Sequence, residues 1–222
     1  MSEQDLRAFH ANHVGELVDF VARVVRDRGR AGDIRAELIV ADVFSLLAAP
    51  SAMSEAGQDQ RMRALRAAHE HSMAAVDRSS DPAGRRSAPV SDEPRWDLDE
   101  TAPGGDDDPV AAEAAMLVWA SAAALRRSQY AVLDLSVRRE LGTAAVAAVL
   151  HCSHSQATSR IAAARESFVK RVRLTTVTHR WAECARLRML FPGRPRALTP
   201  EQHVVAQRHL ARCQGCRVLA GR

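Results

Sequence analysis

The chain has 222 residues, enough for one large domain or two small ones, and a formal net charge of only +4. Aromatic residues make up 4% of the sequence, which argues against a strand-rich sandwich, while the abundance of alanine, leucine and arginine favours helices. An all-α fold is therefore expected. Almost all of the basic charge is arginine, a pattern that either phosphate binding or the codon bias of a GC-rich genome explains.

No apolar run near the N-terminus resembles a signal peptide, and no stretch is long enough to span a bilayer, so a cytoplasmic protein is expected. Four cysteines in such a chain favour metal or redox chemistry over a disulfide framework. The histidines are scattered, with no nucleophile motif or phosphate-binding loop beside them, and the chain is therefore not expected to be an enzyme.

Three helices are predicted within residues 1–78, which form the first predicted domain. Apolar residues recur at helical spacing over residues 6–24, and two glycines end this pattern. A second helix is predicted to begin at Asp33, a favourable N-cap residue, and to end near residue 50. A third is predicted over residues 60–77.

Residues 79–109 have a different composition. They contain nine acidic residues, three basic residues and five prolines, and very few apolar side chains. Such a segment buries too little surface to offset the entropy that ordering would cost. It is predicted to be a flexible acidic linker, followed by a second domain over residues 110–178 and a third segment over residues 179–222.

Within the second domain, two short helices are predicted on either side of a tight turn. The first follows Gly142, and the second begins where Ser153 and Gln156 form a capping-box pair. This arrangement is typical of a DNA-binding helix-turn-helix, although an ordinary helical hairpin with a solvated surface has the same spacing. On the second helix, Gln156 and Arg160 are candidates for reading base edges, and Ser155 is a candidate for holding phosphate.

Residues 179–222 carry the sharpest chemical pattern. His209 and Cys213 lie four residues apart on a predicted helix, so both side chains project from one face, and Cys216 follows after a two-residue spacer. With Cys184 as the fourth ligand, they complete a tetrahedral Cys₃His site that suits one Zn²⁺.

Three residues mark the start of the ligand-bearing helix: Thr199 and Gln202 form a capping box, and Pro200 occupies the first helical position. Because the segment is short, metal binding would supply much of its folding energy. Zinc either has a purely structural role or forms a redox switch through oxidation of Cys213 and Cys216. The metal-free alternative is a module with buried or oxidised thiols.

The stretch 139–168 resembles the C-terminal promoter-binding region of extracytoplasmic-function sigma factors of bacterial RNA polymerase. The positions that match are Val146, Ala147, Leu150, Ser153, Ser159, Arg160, Ile161, Ala164 and Arg165. The resemblance implies that the helix over residues 155–165 enters the major groove of the upstream promoter element, with Ser159 and Arg165 among its contacts. His151 replaces the family's turn glycine, and histidine adopts a left-handed conformation more readily than most residues.

The stretch 36–47 resembles the same family's polymerase-binding helix, which docks on the clamp helices of the largest polymerase subunit. The resemblance implies polymerase contacts from Glu37, Asp42 and Phe44. Leu38 and Ala41 stand where the family has an aspartate and a glutamine.

The third helix faintly resembles the family's segment that melts and reads the downstream promoter element. This implies phosphate contacts from Arg63, Arg66 and Arg78, with a solvated basic face as the alternative. The same resemblance implies that the acidic linker imitates RNA in the channels of the polymerase; a solvated spacer is the alternative.

The C-terminal segment resembles the zinc-binding anti-sigma fold. Residues 184–222 also contain eight arginines and one acid, Glu201, a density that suits DNA or an acidic surface of polymerase. His179 and His203 are expected to be surface histidines and not ligands, and Cys152 is expected to be a small buried residue.

The expected function is that of a stress- or development-responsive sigma factor with Zn²⁺ as its cofactor. The expected partners are core RNA polymerase, promoter DNA and an anti-sigma factor, with no membrane. Two alternatives stay open: a helix-turn-helix regulator that does not recruit polymerase, and a zinc anti-sigma-like interaction protein.

Overall fold

The computed structural model describes residues 3–25, 30–48, 58–79, 109–193 and 198–221. Every regular element within these ranges is helical, which confirms the predicted all-α class. The α-helices are α1 (Glu3–Val25), α2 (Arg30–Ala48), α3 (Gln58–Ser79), α4 (Pro109–Ala123), α5 (Arg127–Leu133), α6 (Thr143–Val149), α7 (His154–His179), α8 (Ala185–Leu190), α9 (Pro200–Arg212) and α10 (Gln214–Leu219). A π-helix over Asp134–Arg138 follows α5, and a 3₁₀ turn over Trp181–Glu183 follows α7. None of the described helices is both long and apolar enough to cross a bilayer.

Two helices differ from the predicted bounds. α2 begins at Arg30, so the predicted start at Asp33 is wrong and Gly32 lies inside the helix. A glycine within a helix lowers helix stability by only about 1 kcal/mol. The burial of the apolar face of α2, which includes Ala36, Val40 and Val43, outweighs this cost. α7 continues to His179, well beyond the stretch predicted for DNA contact. The predicted linker lies outside the described residues except at its ends.

The chain divides into two compact units. The first unit combines Met1–Pro89 with Arg127–Ala164, and the second combines Val90–Arg126 with Arg165–Arg222. The predicted second domain is thus shared between the two units, and the domain boundaries drawn from the sequence stay predictions.

The first unit is built around one apolar cluster. Leu17, Phe20 and Val24 recur at helical spacing on α1 and are almost fully buried. Leu65 from α3 and Val146 from α6 belong to the same cluster. Because full burial of one large apolar side chain contributes about 1.5–3 kcal/mol, this shared core fixes α6 and the turn that follows it.

The second unit has a smaller core. Its buried members are Leu174, Val177, Leu187, Phe191, Leu198, Ala206 and Cys216. The indole N–H of Trp181 donates a hydrogen bond to the carbonyl oxygen of Phe191 at 3.0 Å. One buried member of this core, Cys216, is also a predicted metal ligand, so core and metal site overlap.

Candidate metal centre and nucleic-acid interface

The four predicted metal ligands lie together. The Sγ atoms of Cys184, Cys213 and Cys216 and a ring nitrogen of His209 all lie within 4.8 Å of one another. The His209 Nε2 atom lies 3.1 Å from the Cys216 Sγ and 3.4 Å from the Cys184 Sγ. Ligand atoms on a tetrahedral zinc ion with bonds of 2.0–2.3 Å are about 3.3–3.8 Å apart, so the cluster fits a Cys₃His site with little adjustment.

Local sequence signals explain how these ligands come together. The Thr199 hydroxyl accepts a hydrogen bond from the Gln202 N–H at 3.2 Å, and the Gln202 side chain accepts one from the Thr199 N–H at 2.9 Å. This predicted capping box, with Pro200 at the first helical position, starts α9. α9 ends at Arg212, and the N–H of the following residue, Cys213, donates to the His209 carbonyl at 2.8 Å. The chain turns there, and α10 brings Cys216 back to the cluster.

The protonation of the metal-free cluster follows from its surroundings. Burial lowers the pKa of His209, and the charge of Arg186 lowers it further, so the imidazole is neutral near pH 7. The backbone N–H of Cys216 hydrogen-bonds the Cys213 sulfur and lowers the pKa of that thiol, although burial opposes it. Burial and the neighbouring sulfurs raise the pKa of Cys216. A neutral imidazole and one readily ionised thiol are the states from which a metal site assembles.

The other cysteine and histidines that were considered lie outside the cluster. His203 is hydrogen-bonded to Arg171, and the His179 Nε2 lies 3.3 Å from a carboxylate oxygen of Glu113. Cys152 is partly buried against the apolar cluster of the first unit. These three residues are not among the side chains that converge at the cluster.

The turn between α6 and α7 has the predicted local geometry. Ser153 and Gln156 form reciprocal hydrogen bonds of 3.0 Å and 3.2 Å. His151 has φ 46°, the left-handed conformation that its position requires. The Gln156 side chain is therefore engaged as a cap, and reading a base with it would cost that cap.

Of the residues predicted to contact DNA from α7, Ser155, Ser159, Arg160 and Arg165 are exposed. The hydroxyl of Ser155 lies 3.0 Å from that of Ser153, so it also takes part in the cap. Arg160 borders an open groove of about 340 Å³ in the first unit that His69 also lines. Ser159 and Arg160 are the members of the predicted set that lie on the surface of the first unit without a role in the cap.

Two of the three arginines predicted as phosphate contacts on α3, Arg63 and Arg66, are partly buried. Arg66 donates two hydrogen bonds, of 2.9 Å and 2.5 Å, to the carbonyl oxygen of Ala148 near the end of α6. This interaction satisfies a helix-terminal carbonyl that has no partner within its own helix. The side chain of Arg78 lies outside the described residues.

The outer face of α2 carries Glu37 and Asp42 beside two exposed apolar residues, Ile34 and Leu38, which are 49% and 62% exposed. Phe44, the third predicted polymerase contact, is only 9% exposed and packs against Phe9, with ring centroids 6.1 Å apart. The Phe44 side chain belongs to the core, because its position on α2 faces α1 and not solvent.

Sequence reasoning missed an ionic network in the first unit. Arg139, whose side chain is 6% exposed, bonds Asp134 at 2.6 Å and Glu16 at 3.0 Å, and Asp134 is fully buried. Arg61 bonds Glu16 at 2.6 Å, and Arg138 bonds Asp19 at 2.5 Å. Glu16 and Asp19 are far along the chain from Arg61 and Arg138, so no spacing rule links these partners, whereas Asp134 and Arg139 are only five residues apart. A local signal was the position of Glu16 and Asp19 among the apolar residues 17, 18 and 20 of α1.

The same network alters protonation. Burial alone would raise the pKa of Glu16, but hydrogen bonds from Arg61, His13 and Arg139 overcome it and lower the pKa from 4.5 to about 2. Asp19 shows the same balance, with Arg23 and Arg138 lowering its pKa against burial. These carboxylates stay ionised in the folded protein.

Comparisons of the chain with protein-family models, with curated proteins and with solved structures gave no match.

Proposed function

We propose that this protein is a sigma factor of the extracytoplasmic-function type, which directs core RNA polymerase to specific promoters. The observation that carries the proposal is the junction of α6 and α7: a capping box at Ser153, a left-handed His151, and an exposed Ser159 and Arg160 one turn into α7. A turn of this kind, with small and polar residues on the second helix, suits the major groove.

The proposed upstream-element contacts are Ser159, Arg160 and Arg165. A bidentate guanidinium contact to guanine is worth about 1–3 kcal/mol of discrimination, so Arg160 has the largest expected effect on selectivity. Ser155 and Gln156 contribute through the capped N-terminus of α7, where backbone N–H groups favour a phosphate.

The proposed polymerase-binding face is the outer side of α2. Exposed Ile34 and Leu38 provide an apolar centre, and Glu37 and Asp42 provide a charged rim. Apolar centres with polar rims are typical of protein interfaces. Phe44 supports this face from within the core and is not proposed as a direct contact.

Zn²⁺ is the proposed cofactor of the second unit. The donor set of three sulfurs and one imidazole nitrogen suits Zn²⁺ better than Mg²⁺ or Ca²⁺, which prefer oxygen. All four positions are filled by protein side chains, which favours a structural role for the metal, since catalytic zinc sites keep a position open.

The decisive experiment is reconstituted transcription from fragmented genomic DNA with purified core polymerase, combined with co-elution of the two at low salt. We expect a stable complex and transcripts that begin at defined sites. Arg160→Ala should reduce selectivity for the upstream element, whereas Glu37→Lys with Asp42→Lys should weaken polymerase binding. Glu166→Gln is the control, because Glu166 is exposed and pairs with Lys170 in its own helix.

A second candidate is a DNA-binding regulator that does not recruit polymerase. It is favoured by Leu38 and Ala41, which replace the polar residues of the family's polymerase-binding helix. The same experiment separates the two. Sequence-selective binding to free DNA without co-elution with core polymerase would reject the sigma factor and support the regulator.

A further inference from the structure

Charge is unevenly distributed along the chain. The whole sequence has 31 basic and 27 acidic residues, yet residues 184–222 contain eight of the arginines and only one acid, Glu201. Codon bias would enrich arginine throughout the chain, but it does not explain why acids are missing from one segment.

The structure shows a difference in how arginines are used. In the first unit, Arg23, Arg61, Arg138 and Arg139 each bond a carboxylate. On the three C-terminal helices α8, α9 and α10, five arginines are exposed, and no carboxylate of the described residues lies within ion-pair distance of them. These five, which we call the arginine face, are Arg186, Arg188, Arg208, Arg212 and Arg217.

The metal cluster brings the arginine face together. Arg186 and Arg188 follow Cys184 on α8, and Arg217 follows Cys216 on α10. Arg208 and Arg212 are one helical turn apart on α9, on either side of His209 in sequence. Since the four ligand atoms lie within 4.8 Å of one another, the three helices that carry these arginines meet at one small centre.

We propose that the arginine face binds the phosphate backbone of duplex DNA without regard to base sequence. Guanidinium groups match phosphate in charge and in bidentate geometry, and DNA contact would relieve the repulsion between arginines that are paired with no carboxylate of the described residues. The inference goes beyond the proposed function, which assigns DNA contact to α7, and it holds whether or not the chain recruits polymerase.

The arrangement favours DNA over an anionic membrane. Peripheral membrane binding uses a long amphipathic helix whose apolar side enters the lipid. Here the charges project from three helices around a compact cluster, and the two short helices, α8 and α10, have six residues each.

The test is fluorescence anisotropy of the full-length, zinc-loaded chain with a labelled duplex of random sequence, titrated at several salt concentrations. Arg208→Gln with Arg212→Gln should make the slope of log K against log salt about 1.8 units shallower and weaken binding about 10-fold or more at 0.1 M salt. Arg126→Gln with Arg173→Gln removes the same charge from exposed positions outside the arginine face and should change the slope little. Glu201→Gln should strengthen binding.

Zinc content and helix content must be unchanged in each variant. The charge-conserving pair Arg208→Lys with Arg212→Lys should keep most of the affinity for the duplex. Equal losses in the two glutamine pairs would overturn the proposal, because net charge alone would then explain them. Tighter binding to phosphatidylglycerol vesicles, or equal competition by polyglutamate at matched charge, would also overturn it. Because polymerase is absent from the assay, these outcomes are independent of the sigma-factor test.

Discussion

The two compact units keep their helices together by different physical means. The first unit buries a continuous apolar cluster and joins distant helices by ion pairs around Arg139. The second has a smaller core, and four of its side chains converge where a metal would bind. Stability in the first unit is therefore spread over many residues, whereas in the second it is concentrated in four. We therefore expect each of four perturbations to change the stability of the two units unequally. They are removal of the metal, loss of a buried charge, a fall in pH and removal of a helix cap.

Removal of the metal should have the largest effect. Structural zinc contributes an apparent 10–16 kcal/mol in small zinc modules, so Cys213→Ser or Cys216→Ser should abolish binding of one equivalent of zinc and unfold α9 and α10. The helices of the first unit should stay folded. Elemental analysis and hydrogen exchange measure both effects.

The matched control for metal removal is Cys152→Ser, because Cys152 lies against the core of the first unit and outside the cluster. Unchanged zinc content in the Cys213 and Cys216 variants would remove these residues from the site. Loss of protection throughout the first unit would show that the two units do not fold independently.

Loss of Arg139 should have the next largest effect, and it should be confined to the first unit. Arg139→Met would leave Asp134 buried without its closest cationic partner, which typically costs about 3–5 kcal/mol. Urea denaturation should show this loss, while zinc content stays the same. Arg126→Met, at an exposed position outside the network, should change stability by less than about 0.5 kcal/mol. Equal costs for the two variants would contradict the structural role of the network.

A smaller effect should appear when the pH falls. The pKa of Glu16 in the folded protein is about 2, below its ordinary value of 4.5. Its stabilising contribution is therefore complete above about pH 4.5 and is lost as the pH falls toward 2. One pKa unit corresponds to about 1.4 kcal/mol, so the contribution of Glu16 to the unfolding free energy is at most about 3 kcal/mol. The true contribution is smaller, because solvent partly screens the charge of this carboxylate.

The measurement is the difference in unfolding free energy between the native chain and Glu16→Gln at several pH values. The variant should be less stable at pH 7, and the difference should shrink below about pH 4. A constant difference across this range would mean that the pKa of Glu16 is not lowered by folding.

The helix caps should give the smallest effects and the cleanest separation of the units. Thr199→Ala removes the cap of α9 and should lower the folding stability of the second unit by about 1 kcal/mol. Because folding and metal binding are coupled in such modules, this loss should appear as roughly five-fold weaker zinc binding. Ser153→Ala should cost the first unit a similar amount without changing zinc affinity. Competition with a chelator of known affinity measures the difference, and weaker zinc binding in both variants would argue against separate units.

Much of the candidate site could be predicted because its signals are local. The four metal ligands, the capping boxes at Thr199 and Ser153, and the left-handed His151 each depend on residues within a few positions of one another. Only Cys184 is remote from the other ligands, and the ligand count of a tetrahedral site identified it. Turn chemistry and ligand spacing act over short stretches of chain, so they can be read without knowing the fold.

Side-chain roles were harder to predict. Gln156 was expected to serve both as a cap and as a base contact, but its side chain is occupied by the cap. Phe44 matched a family pattern, yet it faces the core, and Arg66 bonds the Ala148 carbonyl. The left-handed conformation of Glu140, with φ 53°, had no sequence signal. The role of each of these side chains depends on a contact that sequence spacing does not reveal. The contacting group is either a residue that is distant along the chain or a backbone atom.

The sequence alone determined that the chain is helical, where α6, α7 and α9 begin, and which four side chains converge in a cluster that could hold a metal ion, because helix periodicity, capping and ligand spacing are short-range properties. Only the tertiary structure decided that α6 shares a core with α1 and α3, that Arg139 joins Asp134 to Glu16 of α1, and that the exposed arginines of α8, α9 and α10 have no ion-paired carboxylate among the described residues. Those facts depend on contacts between segments brought together by apolar burial, a force that acts without regard to separation along the chain.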